Sequence, residues 1–301
     1  MSKIWLVLLV CFCKAEVKQF PGGTVLPHEK YVRVVSESVS PVRQVYIKTK
    51  DGLYVAAAVR KPAGEGPFPA LIYFHGAPGG RGIEQLTGWS RGDTGGPVWE
   101  RLLQEGFVVV VADYRGGQNL QRLNEAPAEG AATYADDGVA VVDWVRKLEY
   151  VDGNRIHLYG VSLGGDVTMH VLARTKVRSA ILGAPAPIGF LRARPVAGAT
   201  GADRWKGAAL DEAGALERIK PVESPVLILV GTADGLIHLD RVLHDLLEKA
   251  GKKVVMEIYE NGYHDFVVGP QGHAGRSEPL LDATLAALES SVKFLRETGQ
   301  N

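Results

Sequence analysis

The sequence predicts an α/β fold in which a mostly parallel central sheet carries helices on both faces and an antiparallel hairpin at its N-terminal edge. Short, continuous apolar runs alternate with helical patterns along most of the chain. Such runs are typical of parallel strands that are covered on both faces, and the alternation of strand and helix favours parallel pairing. A hydrophobic fraction of 46% and a charged fraction of 23% are ordinary for a globular protein.

The hairpin is predicted from residues 42–47 and 53–60, two strand-like runs joined by Thr49-Lys50-Asp51-Gly52. Asp-Gly between alternating apolar runs is typical of a tight hairpin turn. Six further strands are predicted at residues 70–74, 108–113, 156–161, 180–184, 226–231 and 254–259. Helices are predicted at residues 98–105, 134–148, 164–174, 239–250 and 279–297.

One connection is much longer than the others. About forty residues separate the strands at 180–184 and 226–231, whereas most connections have about 4–6 residues. Two candidate helical turns near residues 208–216 favour a lid-like insertion, at about 185–222, over an irregular loop. The sequence has no internal repeat, so we predict that residues 16–301 form a single domain.

Residues 1–15 have the layout of a secretory signal peptide. Lys3 precedes an unbroken apolar run at residues 4–13, and Cys13-Lys14-Ala15 has small residues at both positions that a signal peptidase reads. The run is short for a membrane-spanning helix; an apolar strand or a core helix is the alternative. We therefore expect a secreted or periplasmic protein that has no membrane span after the signal is removed.

Both cysteines, Cys11 and Cys13, lie inside this signal. A mature chain that starts near Glu16 would have no thiol, which excludes a cysteine nucleophile and a cysteine-ligated zinc site. Lipid attachment at Cys11 stays open as an alternative, although Val10 is bulky where lipoprotein signals have a small residue.

The charges of the chain balance. Lys and Arg together number 34, as do Asp and Glu. The chain therefore has no overall field that would attract nucleic acid or an anionic membrane, and we expect neither as a partner.

Gly160-Val161-Ser162-Leu163-Gly164 follows a predicted strand and opens a predicted helix. A G-x-S-x-G match in that setting is typical of a nucleophile elbow, a sharp turn that projects the serine above the sheet. Glycines on either side let the backbone crowd there without a Cβ clash. The helix N-terminus points its positive end at the oxygen on which negative charge develops. Ser162 is therefore the predicted nucleophile.

A serine hydroxyl is a weak nucleophile and needs a base. With such an elbow the partners follow in the order serine, acid, histidine. Asp234 comes directly after the strand at 226–231, and His264 lies in the loop after the next strand. Asp240 and His273 are the nearest competitors, but Asp240 already lies on a predicted helix. We predict His264 as the base and Asp234 as the carboxylate that orients it.

An oxyanion that forms on the substrate needs backbone N–H donors. Leu163, the residue after the nucleophile, is the first predicted donor. The second is expected in the loop after residues 70–74, where His75-Gly76-Ala77-Pro78 allows close approach of the backbone. Ala77 is the preferred candidate and Gly76 the alternative.

With these residues placed, the chain resembles the α/β-hydrolase superfamily, and within it the catalytic domain of prolyl oligopeptidases and its esterase relatives. The resemblance runs from about residue 42 to the C-terminus and implies the same Ser162, Asp234 and His264 triad. Five segments carry it: His75-Gly76-Ala77-Pro78, Asp113-Tyr114-Arg115-Gly116, Gly160-Val161-Ser162-Leu163-Gly164-Gly165, Gly231-Thr232-Ala233-Asp234 and Gly262-Tyr263-His264.

Two departures from the family peptidases favour a stand-alone esterase or a relative of dienelactone hydrolases. Fewer than thirty residues separate the predicted signal from the hairpin, too few for the family's N-terminal β-propeller. In addition, His75 stands where several family peptidases have a tyrosine whose hydroxyl supports the oxyanion. The serine nucleophile argues against a true dienelactone hydrolase.

We therefore predict a serine hydrolase that acts on carboxylic esters. A peptidase of the prolyl oligopeptidase type, acting on short peptides, is the first alternative, and a non-catalytic binding protein on the hydrolase fold is the second. Phe190 and Trp205 in the insertion are candidate substrate-binding residues, but both are equally suited to anchor it. Acyl transfer through a triad requires no metal and no cofactor.

Overall fold

In the computed structural model, the described residues are 16–18, 42–77, 79–81, 85–86, 98–115, 131–268 and 280–300. Nine strands form one sheet. They are β1 Glu16–Lys18, β2 Arg43–Lys48, β3 Tyr54–Arg60, β4 Phe68–Phe74, β5 Val108–Ala112, β6 Val151–Ser162, β7 Ser179–Pro185, β8 Val226–Gly231 and β9 Val254–Tyr259.

The sheet has the order β1-β9-β8-β7-β6-β4-β5-β3-β2. Across the sheet, neighbouring strands are parallel in the part β1-β9-β8-β7-β6-β4-β5. At the other edge, β3 is antiparallel to both β5 and β2. The predicted hairpin is present, because β2 and β3 pair directly and the Gly52 N–H donates to the Thr49 carbonyl at 3.0 Å. The predicted mostly parallel sheet with an antiparallel N-terminal hairpin is confirmed.

Helices cover both faces of the sheet. They are α1 Val98–Gln104, α2 Ala131–Val145, α3 Leu163–Leu172, α4 Glu212–Ile219, α5 Ile237–Lys249 and α6 Leu280–Gly299. Because successive strand residues point to opposite faces, Leu71 and Tyr73 lie in the apolar cluster that includes α1 and α6, while Ile72 and Phe74 lie in the cluster that includes the other four helices. No helix among the described residues is long and apolar enough to span a membrane.

Two strands differ from the sequence prediction. The short strand β1 was not predicted; it pairs in parallel with β9, Glu16 lying opposite Glu257. Strand β6 begins at Val151 instead of residue 156, because Val151 pairs with Phe68 before the register shifts at the polar residues that follow. The polar residues therefore interrupt the apolar run, so the first part of β6 was not predicted from the sequence.

The long connection between β7 and β8 has its own structure. It contains a 3-10 turn at Gly201–Arg204, helix α4 and an antiparallel bridge between Arg194 and Ala209. Helix α4 begins later than the predicted turns because Asp211 caps it, accepting a hydrogen bond from the Gly214 N–H at 2.9 Å. We call residues 186–225 the insertion below.

Candidate active site

The turn at Ser162 joins the end of β6 to the start of α3. Ser162 has φ 55° and ψ −120°, a backbone conformation that non-glycine residues rarely adopt. A Cβ on Gly160 would lie 2.2 Å from the Gly164 carbonyl oxygen, and one on Gly164 would lie 1.9 Å from the Phe74 carbonyl oxygen. Both glycines are therefore required by backbone packing, and the sharp turn lifts Ser162 above the carboxyl edge of the sheet.

Three side chains from separate strand ends meet at this edge. The Ser162 Oγ lies 2.7 Å from His264 Nε2, and His264 Nδ1 lies 2.9 Å from Asp234 Oδ2. The Asp234 side chain is 1% exposed, whereas His264 is 32% exposed. The histidine can thus meet a substrate while its carboxylate partner is sealed from water. The order Ser162, His264, Asp234 is the geometry of a proton relay from a hydroxyl to an oriented base.

The loops after β8 and β9 are tied to each other. A Cβ on Gly231 would lie 1.9 Å from the Gly262 carbonyl oxygen, so the two chains cross in backbone contact. The Ala233 N–H donates to that same carbonyl at 2.9 Å, and Asp234 Oδ1 accepts a bond from the Leu236 N–H at 2.9 Å. These contacts set the position of Asp234 relative to His264.

Burial and charge act in opposite directions on the histidine. Burial alone would lower the pKa of His264, but the hydrogen bond and negative charge of Asp234 outweigh it and raise that pKa above its usual value. Burial, and then the charge of Asp234, raise the pKa of Asp240 well above its usual range. Asp240 is fully buried on α5, and its carboxyl oxygens have no hydrogen-bond partner among the described residues. His264 therefore pairs with Asp234 and not with this competitor.

The predicted oxyanion donors lie in two segments near Ser162. The N–H groups of Gly76, Ala77 and Leu163 donate to no acceptor within the described parts of the chain. A Cβ on Gly76 would lie 3.1 Å from the Ser162 Cβ, so this loop runs directly beside Ser162. Leu163 is the first residue of α3, where N–H groups have no partner in the helix. Gly76 and Leu163 therefore lie next to Ser162, and Ala77 follows Gly76 on the same loop.

The loop at residues 75–77 is supported by residues for which the sequence suggested no role. His75 is buried and its Nε2 lies 3.0 Å from Asp113 Oδ1. The Tyr114 hydroxyl donates to the His75 carbonyl at 2.8 Å. His75, Asp113 and Tyr114 all lie in segments that carry the family resemblance, which was the available signal. Gly116 lies outside the described residues.

The candidate substrate-binding residues occupy different environments. Phe190 is completely buried and its ring packs against His170 on α3, with ring centroids 5.1 Å apart. A side chain without exposed surface offers nothing to a substrate in this conformation, so Phe190 anchors the insertion. Trp205 is partly buried against the same core and carries the guanidinium of Arg204 over its ring.

Asp166 also holds the insertion on α3. Its carboxyl oxygens accept hydrogen bonds from the N–H groups of Gly189 and Phe190 at 2.9 and 2.7 Å. Arg218 on α4 donates to the Phe190 carbonyl at 2.9 Å. A Cβ on Gly189 would lie 2.6 Å from Asp166, so a glycine is needed there. Sequence reasoning missed this contact because Asp166 lies on a helix without a local partner.

One group of side chains within the described residues could hold a metal ion. It consists of His244, Asp245 and Glu248 on α5, of which the two carboxylates are exposed. His244 itself is buried, so only the two carboxylates face solvent. His273, the alternative base, lies outside the described residues.

Comparison with known proteins identifies the family of the chain. The model of the prolyl oligopeptidase family matches residues 99–282, more than half of the chain. Inactive dipeptidyl peptidase 10 of Mus musculus is 27% identical over 180 residues, which is 55% of this chain and 22% of that protein. The chain spans between 22% and 35% of the length of the first curated relatives that it matches.

Solved structures show the same fold. The esterase of Pyrobaculum calidifontis has a TM-score of 0.62 and 20% identity, with 89% of both chains covered. Dipeptidyl peptidase 4 of Porphyromonas gingivalis has a TM-score of 0.60 and 22% identity, with 86% of this chain and 35% of that chain covered. The chain therefore has the α/β-hydrolase fold and belongs to the prolyl oligopeptidase family.

Proposed function

We propose that this protein is a serine hydrolase that transfers an acyl group to water, with Ser162 as nucleophile, His264 as base and Asp234 as its orienting carboxylate. The hydrogen-bonded series from Ser162 Oγ to His264 and on to Asp234, at 2.7 and 2.9 Å, carries the proposal. Membership of a hydrolase family supports it independently.

The reaction follows from the geometry. His264 Nε2 takes the Ser162 proton as Oγ bonds to the carbonyl carbon, and the carbonyl electrons move to oxygen. The N–H groups of Leu163 and of Ala77 or Gly76 stabilise that oxyanion. When the tetrahedral intermediate collapses, the bond to the leaving group breaks and His264 returns its proton to that group. A water then repeats the sequence on the acyl-enzyme and restores the serine.

We infer carboxylic esters as the substrate class. An ester needs less help from the enzyme than an amide, because its alkoxide is a better leaving group than an amine. The donors available to the oxyanion in the described residues are backbone N–H groups, and the buried His75 ring turns away toward Asp113. No tyrosine hydroxyl occupies that position, in agreement with ester hydrolysis. Short peptides are the alternative, which the family favours.

The test uses the wild type and Ser162→Ala as a matched pair. We expect a fluorophosphonate probe to label the wild type and not the variant, and p-nitrophenyl esters to be cleaved only by the wild type. Aminoacyl and prolyl amides are assayed in parallel; cleavage of amides as efficient as that of esters would replace the ester assignment with the peptidase one. If the folded wild type is neither labelled nor active on either class, the proposal is wrong and a non-catalytic binding protein is left.

A further inference from the structure

The loop beside Ser162 has three consecutive carbonyl groups that are each held by a side-chain donor. The Tyr114 hydroxyl binds the His75 carbonyl at 2.8 Å, and His75 Nδ1 binds the Gly76 carbonyl at 2.7 Å. A guanidinium nitrogen of Arg81 binds the Ala77 carbonyl. The carbonyl groups of residues 75–77 are therefore each fixed by a side chain.

The direction of a carbonyl fixes the direction of the next N–H, because a trans peptide is planar and its C=O and N–H point oppositely. The bond from Tyr114 to the His75 carbonyl therefore orients the Gly76 N–H. In the same way, the bond from His75 Nδ1 to the Gly76 carbonyl orients the Ala77 N–H. These are the two amides that compete for the second place in the oxyanion site, and each has its own support.

The His75 ring faces acceptors on both sides. Nδ1 lies against a backbone carbonyl and Nε2 against the Asp113 carboxylate, 3.0 Å away. A carbonyl only accepts, so Nδ1 is the donor in the first contact, and the second contact joins the ring to a carboxyl group. Both side chains are sealed from solvent, at 1% and 0% exposure.

A buried charge is tolerated when it is paired and fully hydrogen bonded. The Asp113 oxygens also accept the Arg81 N–H at 2.9 and 3.1 Å. Asp113 therefore connects His75 with Arg81 at the far end of the loop.

We propose that His75, held by Asp113, is a positioning residue that turns the Gly76–Ala77 peptide so that the Ala77 N–H faces the oxyanion formed at Ser162. This inference rests on the proposed hydrolase function and assigns the second donor within it. His75 contacts no reacting atom and acts only through the peptide that it holds.

Two substitutions separate the two ring contacts. The amide nitrogen of asparagine can take the place of Nδ1, so His75→Asn can keep the donor to the Gly76 carbonyl and lose the contact with Asp113. The amide nitrogen of glutamine can take the place of Nε2, so His75→Gln keeps the contact with Asp113 and loses the donor to that carbonyl. Both remove the ring, so they control for each other.

We expect His75→Gln to lower kcat roughly 10- to 100-fold more than His75→Asn, with little change in KM, because misdirecting one oxyanion donor weakens the transition state and not substrate binding. The substrate is a small p-nitrophenyl ester, and thermal unfolding of both variants checks the fold. Equal losses of kcat in the two variants, or wild-type kcat in His75→Gln, would overturn the proposal.

The protonation of the ring is read separately in the wild type. In a nitrogen-15 spectrum of the labelled protein, with His75 assigned through the backbone, we expect Nδ1 to carry a proton. A ring without a proton on Nδ1 would refute the inference whatever the variants do. A wild type that the fluorophosphonate fails to label would instead count against the proposed function, and the ring assignment would keep its own result.

Discussion

Asp166 on α3, which holds the insertion, leads to a prediction of how the stability of the protein changes with pH. Burial raises the pKa of Asp166 to about 7, although its bonds to the N–H groups of Phe190 and Gly189 and the charge of Arg218 act to lower it. The folded state therefore binds the proton more tightly than the unfolded state does. An acid whose pKa is raised in the folded state contributes stability that is fully present below its unfolded pKa and is lost as the pH rises through its folded pKa.

The magnitude follows from the two pKa values. Between pH 3.8, the ordinary pKa of an aspartate, and pH of about 7, each pH unit lowers the free energy of unfolding by about 1.4 kcal/mol. Ionisation therefore removes about 4 kcal/mol of stability by pH 8. Unfolding entropy of about 2 cal/mol/K per residue gives about 0.6 kcal/mol/K for a chain of 301 residues, so the full shift in Tm is about 7 °C. Asp166→Asn cannot ionise, and it loses one of the two acceptor oxygens, a cost that does not change with pH. Because the loss in the wild type starts near pH 3.8, about 3 kcal/mol of it falls between pH 5 and pH 8, and we expect the stability of Asp166→Asn relative to the wild type to rise by about that amount over this range.

The assay is thermal unfolding of both proteins between pH 5 and pH 8. Asp211→Asn is the control: the hydrogen bond from Gly214 lowers the pKa of Asp211, so this carboxylate stays ionised over the range. Its difference from the wild type should therefore be constant. If Asp166→Asn instead becomes less stable relative to the wild type as the pH rises, the two N–H donors and Arg218 outweigh burial, and the reasoning fails.

Three other predictions concern the catalytic edge and the N-terminus. Asp234→Asn should lower kcat about 10⁴-fold. In the wild type, the pKa of His264 is raised, so a plot of kcat/KM against pH should rise with a midpoint above 6.5. Asp234→Asn should shift that midpoint to lower pH. Gly164→Ala should abolish esterase activity or folding, since its Cβ would lie 1.9 Å from a carbonyl oxygen, whereas Gly299→Ala meets open space and should leave Tm and kcat unchanged. For export, N-terminal sequencing of protein secreted by a bacterial host should begin directly after Ala15; retention of residues 1–15 would reject the signal assignment.

Most of the sheet could be predicted because most of its strands are continuous apolar runs that are visible in the local sequence. The bounds of β8 and β9 agree with the sequence prediction, since each is a continuous apolar run between polar turns. Strand β1 has three residues, and its partner β9 lies far away in the sequence, because Glu16 pairs with Glu257. Its existence depends on a partner that no local pattern reveals.

The meeting of Ser162, Asp234 and His264 at one edge was predictable for a different reason. Parallel strands bring their carboxyl ends to one edge, so residues after β6, β8 and β9 converge whatever lies between them. The supports of the site follow no such rule. From its position in the insertion, Phe190 was equally suited to bind a substrate or to anchor the insertion, because its burial against His170 depends on how the insertion folds back. A sequence gives no measure of that.

The first turn of α3 connects three parts of the protein that the sequence treats separately. Ser162 precedes the helix, Gly164 lies in backbone contact with the end of β4, from which the loop beside the nucleophile departs, and Asp166 holds the insertion. These residues are at most four positions apart on a rigid, hydrogen-bonded element. A displacement of the insertion that pulled on Asp166 would therefore act within one helical turn on the nucleophile. For this reason, we expect changes at the insertion contact to alter kcat as well as stability.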